Sequence, residues 1–364
     1  MSSFASRPKL RLSSAIIVLL IVLSACSSGT AATENATVSG SSGPSSEADN
    51  RKAENTGHAG PNDAEQPERV PVKLITAWYA KGEDGGLFAA LQEGYYAERG
   101  VDMTIEPGGP QVSSLQVVAS GQADFGISYA DSILQARERG IPVVGLMAVY
   151  QSVPQVLIYH KDHPVNGFED VEGKTVYISP GTLYWQFIKN KFGLKHVREM
   201  NYNGQLVNFI NDKMSLNQGY VTNEPFILKK QGIDVSYLRV ADSGYANYGN
   251  VLFTTEKFLA EHPDIVEAVV QASRKGWEYY LEGENYREVN ELIKTYNPDG
   301  DLETFHNEAV ESKSLIYDGE ALEHGIGYMT KERWERLQAQ LIEIGELGGP
   351  QNIDKAFTTE FLAK

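Results

Sequence analysis

From Val72 onward, short unbroken apolar runs alternate with stretches whose apolar positions recur every three or four residues. The runs fit buried strands and the periodic stretches fit helices with one buried face. Their order predicts an α/β chain of mainly parallel sheets with crossover helices. The first unit is a strand from Val72 to Trp78 and a helix from Gly85 to Arg99, with Leu87, Ala90, Leu91 and Tyr95 inward and Gly100 as its stop. A strand from Val101 to Ile105 leads through Pro107-Gly108-Gly109-Pro110 to a short helix burying Val112, Leu115, Val118 and Ala119. A strand from Ala123 to Ser128, a helix from Asp131 to Glu138 closed by Gly140, and a strand from Pro142 to Tyr150 complete a first lobe, residues 70–154.

The same grammar repeats in a second lobe, residues 155–240. It holds strands from Gln155 to Tyr159 and Lys174 to Ser179, then a helix from Thr182 to Phe192. An element follows over Gln205 to Asn211, then a strand around Gly219 to Thr222, a helix opened by Asn223-Glu224-Pro225, and a strand from Val235 to Val240. Residues 241–364 begin with a strand, Asn250 to Thr254, that returns to the first lobe. They continue as helices over Glu256 to Leu281, Tyr286 to Tyr296, Leu302 to Leu315 and Lys331 to Leu347, with Trp277 and Trp334 in the core. Two lobes joined by two crossings make a clamshell that closes by hinge motion.

Ahead of the folded body the pattern changes. Residues 1–25 contain no acid and place Arg7, Lys9 and Arg11 before an apolar run from Ala15 to Leu23, as an export signal does. The run is shorter than the roughly 20 residues that span a bilayer. Leu23-Ser24-Ala25-Cys26 resembles the lipobox of bacterial lipoproteins, which implies cleavage before Cys26 and diacylglycerol on its sulfur. Residues 26–69 carry one large aliphatic side chain, Val38, too little apolar area to offset the entropy of ordering, and read as a tether. The expected location is the extracytoplasmic side of the cell membrane, held by the lipid on Cys26.

Charge and composition narrow the chemistry. With 48 Asp and Glu against 32 Lys and Arg, the formal net charge of −16 repels phosphate backbones and excludes nucleic acid as a partner. A single cysteine excludes an internal disulfide, a thiolate zinc site and an iron-sulfur centre. None of the seven histidines, His58, His160, His163, His196, His262, His306 and His324, forms an i, i+4 metal pair. There is no Gly-x-Ser-x-Gly elbow and no thiol nucleophile in the body. No metal, no cofactor and no enzymatic activity are expected.

In open α/β sheets the carboxyl ends of strands and the starts of the following helices share a crevice. The segments due there are Trp78 to Gly86, Glu106 to Val112, Ser128 to Ser132, Tyr150 to Pro154, Ser179 to Trp185 and Thr222 to Pro225. They carry Trp78, Tyr79, Tyr129, Tyr150, Tyr184 and Trp185, whose rings suit a planar heterocycle, although about half such rings would serve lobe packing instead. Gly108 and Gly109 let backbone approach a ligand and leave the amides of Gln111 to Ser113 free, or simply mark a turn. Asp131 fits a helix N-cap or a ligand contact. Asn223 fits an N-cap, with Glu224 and Pro225 in the first turn; Glu224 could equally accept two hydrogen bonds from an amino-heterocycle or pair with a ligand cation.

Taken together, several motifs resemble the solute-binding proteins of ABC importers, in the group of thiamine-pyrimidine-precursor, riboflavin, nitrate, taurine and alkanesulfonate binders. They are Trp78, the run Gly86-x-x-x-Ala90-x-x-x-Gly94-Tyr95-Tyr96-x-x-x-Gly100-Val101-Asp102, Pro107-Gly108-Gly109-Pro110, Ala119-Ser120-Gly121-Gln122-Ala123-Asp124-Phe125-Gly126 and Asn223-Glu224-Pro225. The resemblance covers about residues 70–290. It implies a two-lobed periplasmic-binding-protein fold of type II, a small-molecule ligand, and a membrane permease with its ATPase as partners, the binding protein itself being a monomer. In the thiamine-precursor binders a Trp follows the first strand, as Trp78 does here, and carboxylate and aromatic groups surround an aminopyrimidine, which implies such roles for Glu224, Tyr129 and Tyr184. The same fold includes the yeast-type thiamine-pyrimidine synthase, whose cysteine-rich motif has no counterpart in a chain with only Cys26. The expected ligand is the aminopyrimidine precursor of thiamine. Riboflavin, an anionic sulfonate or nitrate, and a sensory lipoprotein of the same fold are the alternatives.

Overall fold

The computed structural model describes residues 69–362. The expected signal, Cys26 and the tether up to Glu68 lie outside the described residues. Two five-stranded sheets organise the chain. The first contains β1 (Val70–Ile75), β2 (Val101–Glu106), β3 (Phe125–Ser128), β4 (Val143–Tyr150) and β10 (Gly249–Thr255), in the order β2-β1-β3-β10-β4. The second contains β5 (Gln155–His160), β6 (Thr175–Ile178), β7 (Arg198–Asn201), β8 (Leu216–Tyr220) and β9 (Val235–Arg239), in the order β7-β6-β8-β5-β9.

Each sheet is mixed. In the first, Val72 pairs with Met103 and Leu74 with Phe125 in parallel, while Val251 faces Ser128 and Leu252 faces Met147 antiparallel. In the second, Val176 pairs with Glu199 and with Leu216 in parallel, while Leu157 faces Gln218 and Leu238 antiparallel. Crossover helices produce the expected parallel pairs. The reversed strands have a different origin. β4 and β9 both run into the interlobe crossings, so β5 and β10, entering from the opposite lobe, start at those crossings and run away from them. The helices within and after the lobes are α1 (Gly85–Gln92), α2 (Ser114–Ala119), α3 (Ala130–Glu138), α4 (Leu183–Phe192), α5 (Val207–Asn211), α6 (Glu224–Lys230), α7 (Glu256–Glu261), α8 (Pro263–Tyr280), α9 (Tyr286–Tyr296), α10 (Leu302–Ile316), α11 (Ala321–His324) and α12 (Lys331–Glu343).

Several expected elements are amended. The first helix ends at Gln92, and Gly94, at φ 74°, turns the chain into a short 3-10 turn. Of the residues expected inside α2, Val112 precedes the helix and is exposed, as is Ala119. The long helix after β10 breaks at His262, where Pro263 starts α8 with the nitrogen that needs no partner. β7, Arg-Glu-Met-Asn, is exposed along its whole length and carries no apolar signature. Trp277 and Trp334 are buried as expected.

Packing on the first lobe depends on close approach of α1 and α8. A Cβ on Gly276 would lie 2.1 Å from the Gly86 carbonyl oxygen, and one on Gly86 would meet the Trp277 ring at 2.1 Å. Behind the crevice, α12 reaches both interlobe crossings through one side chain. The Arg333 Nη2 donates to the carbonyls of Gln151 and Asn247, each at 2.5 Å, Nε donates to that of Ala246 at 3.2 Å, and the guanidinium covers the Tyr248 ring at 3.9 Å. Among the described residues no helix is long and apolar enough to cross a membrane.

Candidate functional site

A cavity of about 1630 Å³ opens between the lobes. Trp78 and Tyr79 stand at its rim on the loop after β1, 38% and 50% exposed, with their rings edge to face. Their loop is held from within: the Thr76 hydroxyl donates to the Trp78 carbonyl at 2.6 Å, and the Gly108 amide donates to the same carbonyl at 3.0 Å. A Cβ on Gly108 would come within 2.3 Å of the Thr76 carbonyl oxygen, so glycine is required for this approach.

Beyond the rim the wall is acidic. Lys81 pairs with Glu83 at 2.6 Å and lies 5.0 Å over the Tyr220 ring. Glu83 accepts from the Thr222 hydroxyl at 2.5 Å, and its backbone carbonyl accepts from the Asn250 side-chain Nδ2 at 3.0 Å. Asn250 is the one non-glycine residue among those described with positive φ, 45°, a conformation asparagine tolerates better than most. Glu224 opens α6; its Oε2 accepts from the Tyr220 amide at 2.7 Å and its Oε1 from the Tyr202 hydroxyl at 3.2 Å. Glu308, from α10, accepts from the Gly82 amide at 2.7 Å and from the Asn223 side chain. At the far end Lys230 bridges to Asp301 at 2.9 Å and Glu303 at 2.7 Å.

Burial is the largest influence on the ionisable groups of the wall. It raises Asp84 to about 8, against the pull of Lys81, and raises Glu308 and Glu224 above the ordinary carboxyl range for the same reason. Burial alone would discharge Lys81, but Glu83, Glu308 and Glu224 outweigh it and push its pKa up. The Tyr202 and Tyr220 hydroxyls are raised by burial and by the nearby carboxylates, so they stay protonated as donors. The cavity thus offers aromatic faces and carboxyl acceptors, while its lysines, Lys81 and Lys230, are engaged with acids. Such a lining suits a flat molecule bearing N–H donors or positive charge. Among the described residues no group of His, Cys, Asp and Glu has the geometry to hold a metal ion.

Of the residues expected at the site, Trp78, Tyr79, Tyr129, Asn223 and Glu224 line this cavity. The other six stand outside its lining. Gly108 and Gly109 sit behind the rim and brace the Trp78 loop; Pro110 and Gln111 face the cavity instead. The Val112 amide, expected to be free, bonds the Gly109 carbonyl at 3.0 Å. Asp131 is buried inside the first turn of α3, accepting from the Tyr245 hydroxyl at 2.9 Å, and Tyr129 holds the N-cap position. Tyr150 is buried with its hydroxyl 2.7 Å from that of Ser312. Tyr184 and Trp185 are buried in an apolar cluster with Leu183, Phe187 and Ile188, and Tyr184 lies near enough to Glu224 for that carboxylate to add to burial in raising its hydroxyl. The segment from Tyr150 to Pro154 contributes nothing to the lining.

Sequence reasoning missed Tyr202, Tyr220, Asn250, Tyr296 and Glu308. Tyr220 ends a strand and was within reach of the strand-end rule. Tyr202 follows the unrecognised β7. Glu308 lies mid-helix in α10, where nothing local distinguishes it from a solvated acid.

The lobes, their double crossing and the cleft between them define the class: a two-lobed α/β fold of the periplasmic-binding-protein type. The solved periplasmic nitrate-binding protein NrtA from Synechocystis PCC 6803 superimposes with a TM-score of 0.62 at 14% identity, over 81% of this chain and 87% of its own. The family model described as NMT1/THI5 like matches residues 83–284, and the chain belongs to that family. The riboflavin-binding protein RibY of Chloroflexus aurantiacus is 26% identical over 97% of this chain and 98% of its own length. The formylaminopyrimidine-binding protein of Halalkalibacterium halodurans is 25% identical over 79% and 89%. Relatives named 4-amino-5-hydroxymethyl-2-methylpyrimidine phosphate synthase, in Legionella pneumophila and fission yeast, match over 58% and 55% of this chain.

Proposed function

We propose that this chain is the extracytoplasmic solute-binding subunit of an ABC importer, capturing an amino-substituted aromatic heterocycle, the aminopyrimidine precursor of thiamine. The observation that carries this is Glu224, whose carboxyl lines the cavity and is oriented by the Tyr202 hydroxyl, the Tyr220 amide and its own backbone N–H, which leaves a carboxyl with acceptor capacity for a ligand N–H. Trp78, half exposed at the rim, offers a stacking face, and the second lobe supplies Glu224, so a ligand touching both favours closure through its differential affinity for the closed form. The formylaminopyrimidine-binding relative supports the same ligand class. A sulfonate or nitrate is disfavoured because the lysines in the wall are engaged with acids.

Riboflavin is the second reading, supported by the cavity volume and by the near-complete alignment with RibY. In either case the protein acts as a monomeric receptor without catalysis, held at the membrane by lipid on Cys26 and delivering its ligand to a permease with a cytoplasmic ATPase. Calorimetric titration of the full chain with 4-amino-5-hydroxymethyl-2-methylpyrimidine and, separately, riboflavin tests this. One-to-one saturation by the pyrimidine supports the first reading and by riboflavin alone the second; heat from neither removes both.

A further inference from the structure

Two consecutive residues of α10 hold the segment that presents Glu224. The Asn307 side chain donates to the Thr222 carbonyl at 2.7 Å, and Glu308 accepts from the side chain of Asn223, the residue immediately before Glu224. The second oxygen of Glu308 accepts from the Gly82 amide at 2.7 Å, between Lys81 and Glu83. One fully buried carboxyl therefore takes a donor from each lobe, at the two segments that carry the charged wall of the cavity. The Thr222 hydroxyl closes the ring by donating to Glu83 at 2.5 Å. α10 begins at Leu302, beyond residues 83–284 matched by the family model, so this hold comes from a part of the chain the family pattern does not cover.

Resting on the role given to Glu224 above, we propose that Glu308, assisted by Asn307, is a positioning residue of the binding site: it fixes Thr222-Asn223-Glu224 against the Lys81–Asp84 turn in the geometry that receives the ligand. Removing its side chain leaves the buried Gly82 amide and the half-buried Asn223 side chain without an acceptor and frees the start of α6. Glutamine in its place keeps an acceptor for Gly82, and Asn223 satisfies the new amide by turning its own side chain over, since its oxygen and nitrogen ends are nearly equal in shape.

The test uses the full chain as wild type, Glu308→Ala, Glu308→Gln, Glu224→Gln and the double variant Glu224→Gln with Glu308→Ala. Each is titrated with 4-amino-5-hydroxymethyl-2-methylpyrimidine and with riboflavin. For the probe that binds, Glu308→Ala weakens affinity roughly tenfold or more, Glu308→Gln recovers most of it, and the double variant is no weaker than Glu224→Gln alone, because Glu308 acts through Glu224. Wild-type affinity in Glu308→Ala, or losses that multiply in the double variant, overturns the proposal. Amide exchange in the ligand-free chain separates it from the choice of ligand. The amides of Tyr220, Asn223 and Phe226, all bonded within this segment, exchange at least about tenfold faster in Glu308→Ala while those of β3 and β10 do not change. If neither probe binds wild type, the heterocycle assignment fails and the exchange result decides positioning by itself: unchanged rates at those amides refute it. Should Glu308→Ala not fold, Asn307→Ala, which removes only the bond to Thr222, is read by the same exchange and the same criteria.

Discussion

Replacing Arg333 by alanine cuts a side chain that bonds both interlobe crossings. It deprives the carbonyls of Gln151, Ala246 and Asn247 of a charged donor and uncovers the Tyr248 ring. Hydrogen bonds from a charged group contribute about 1.5–3 kcal/mol each, but two of these share one nitrogen, and water can reach part of the gap because the side chain is 14% exposed. With the ring contact added, a net loss of about 3 kcal/mol is expected. Unfolding entropy near 2.1 cal/mol/K per residue gives about 0.6 kcal/mol/K for the roughly 290 described residues, so the midpoint should fall by about 5 °C. Scanning calorimetry on the full chain reads this directly. Lysine keeps the charge as a compact ammonium that cannot span three carbonyls, so Arg333→Lys should recover less than half of the loss. A midpoint within about 1 °C of wild type for the alanine variant would refute the reasoning.

Trp78→Ala and Glu224→Gln should each weaken ligand binding by about 1–3 kcal/mol with the unfolding midpoint unchanged; calorimetric affinities equal to wild type in both would remove the site assignment. Asp84, raised by burial to about 8 from its ordinary 3.8, holds a proton in the folded chain that the unfolded chain has lost, so its contribution to stability is complete below pH 4 and disappears as pH rises through 8. Denaturant titrations at several pH values should show that decline, and Asp84→Asn should flatten it; an identical slope in the variant would count against burial as its cause. Gly276→Ala places a methyl 2.1 Å from the Gly86 carbonyl oxygen and 2.7 Å from Ala90, so it should cost about 3 kcal/mol or more in a thermal melt, and a stable variant would mean that α8 can slide.

Local pattern sufficed where one segment's own chemistry dictated its place. β10 was legible as a strand returning to the first lobe because Asn250 to Thr254 is a short apolar run set between a loop and a helical pattern, and α9 because its apolar period is clean from Tyr286 to Tyr296. β7 was illegible because an exposed edge strand has no buried face to leave a hydrophobic imprint. The reversal of β5 and β10 is a property of chain path between lobes, which alternation of polar and apolar residues does not encode. At the cavity, Trp78 and Glu224 could be placed on the lining from sequence because strand ends and helix starts announce themselves there. Tyr150 and Trp185 obeyed the same rule and yet turned inward, since the rule fixes a residue's position along the crevice and leaves its direction to packing. Glu308 depends on a helix more than 80 residues from its partner Asn223, and only the fold brings the two together.

The central place of β10 in the first sheet also bears on the order in which the molecule is made. Its neighbours β3 and β4 are linked through it, so that sheet cannot close until residue 255 is available, whereas all five strands of the second sheet lie within residues 155–239. In a chain that emerges N-terminus first, from a ribosome or through a translocation channel, the lobe written first is finished last. During the interval the facing edges of β3 and β4 are unpaired templates for another strand, and they are the surface a holding chaperone would have to cover.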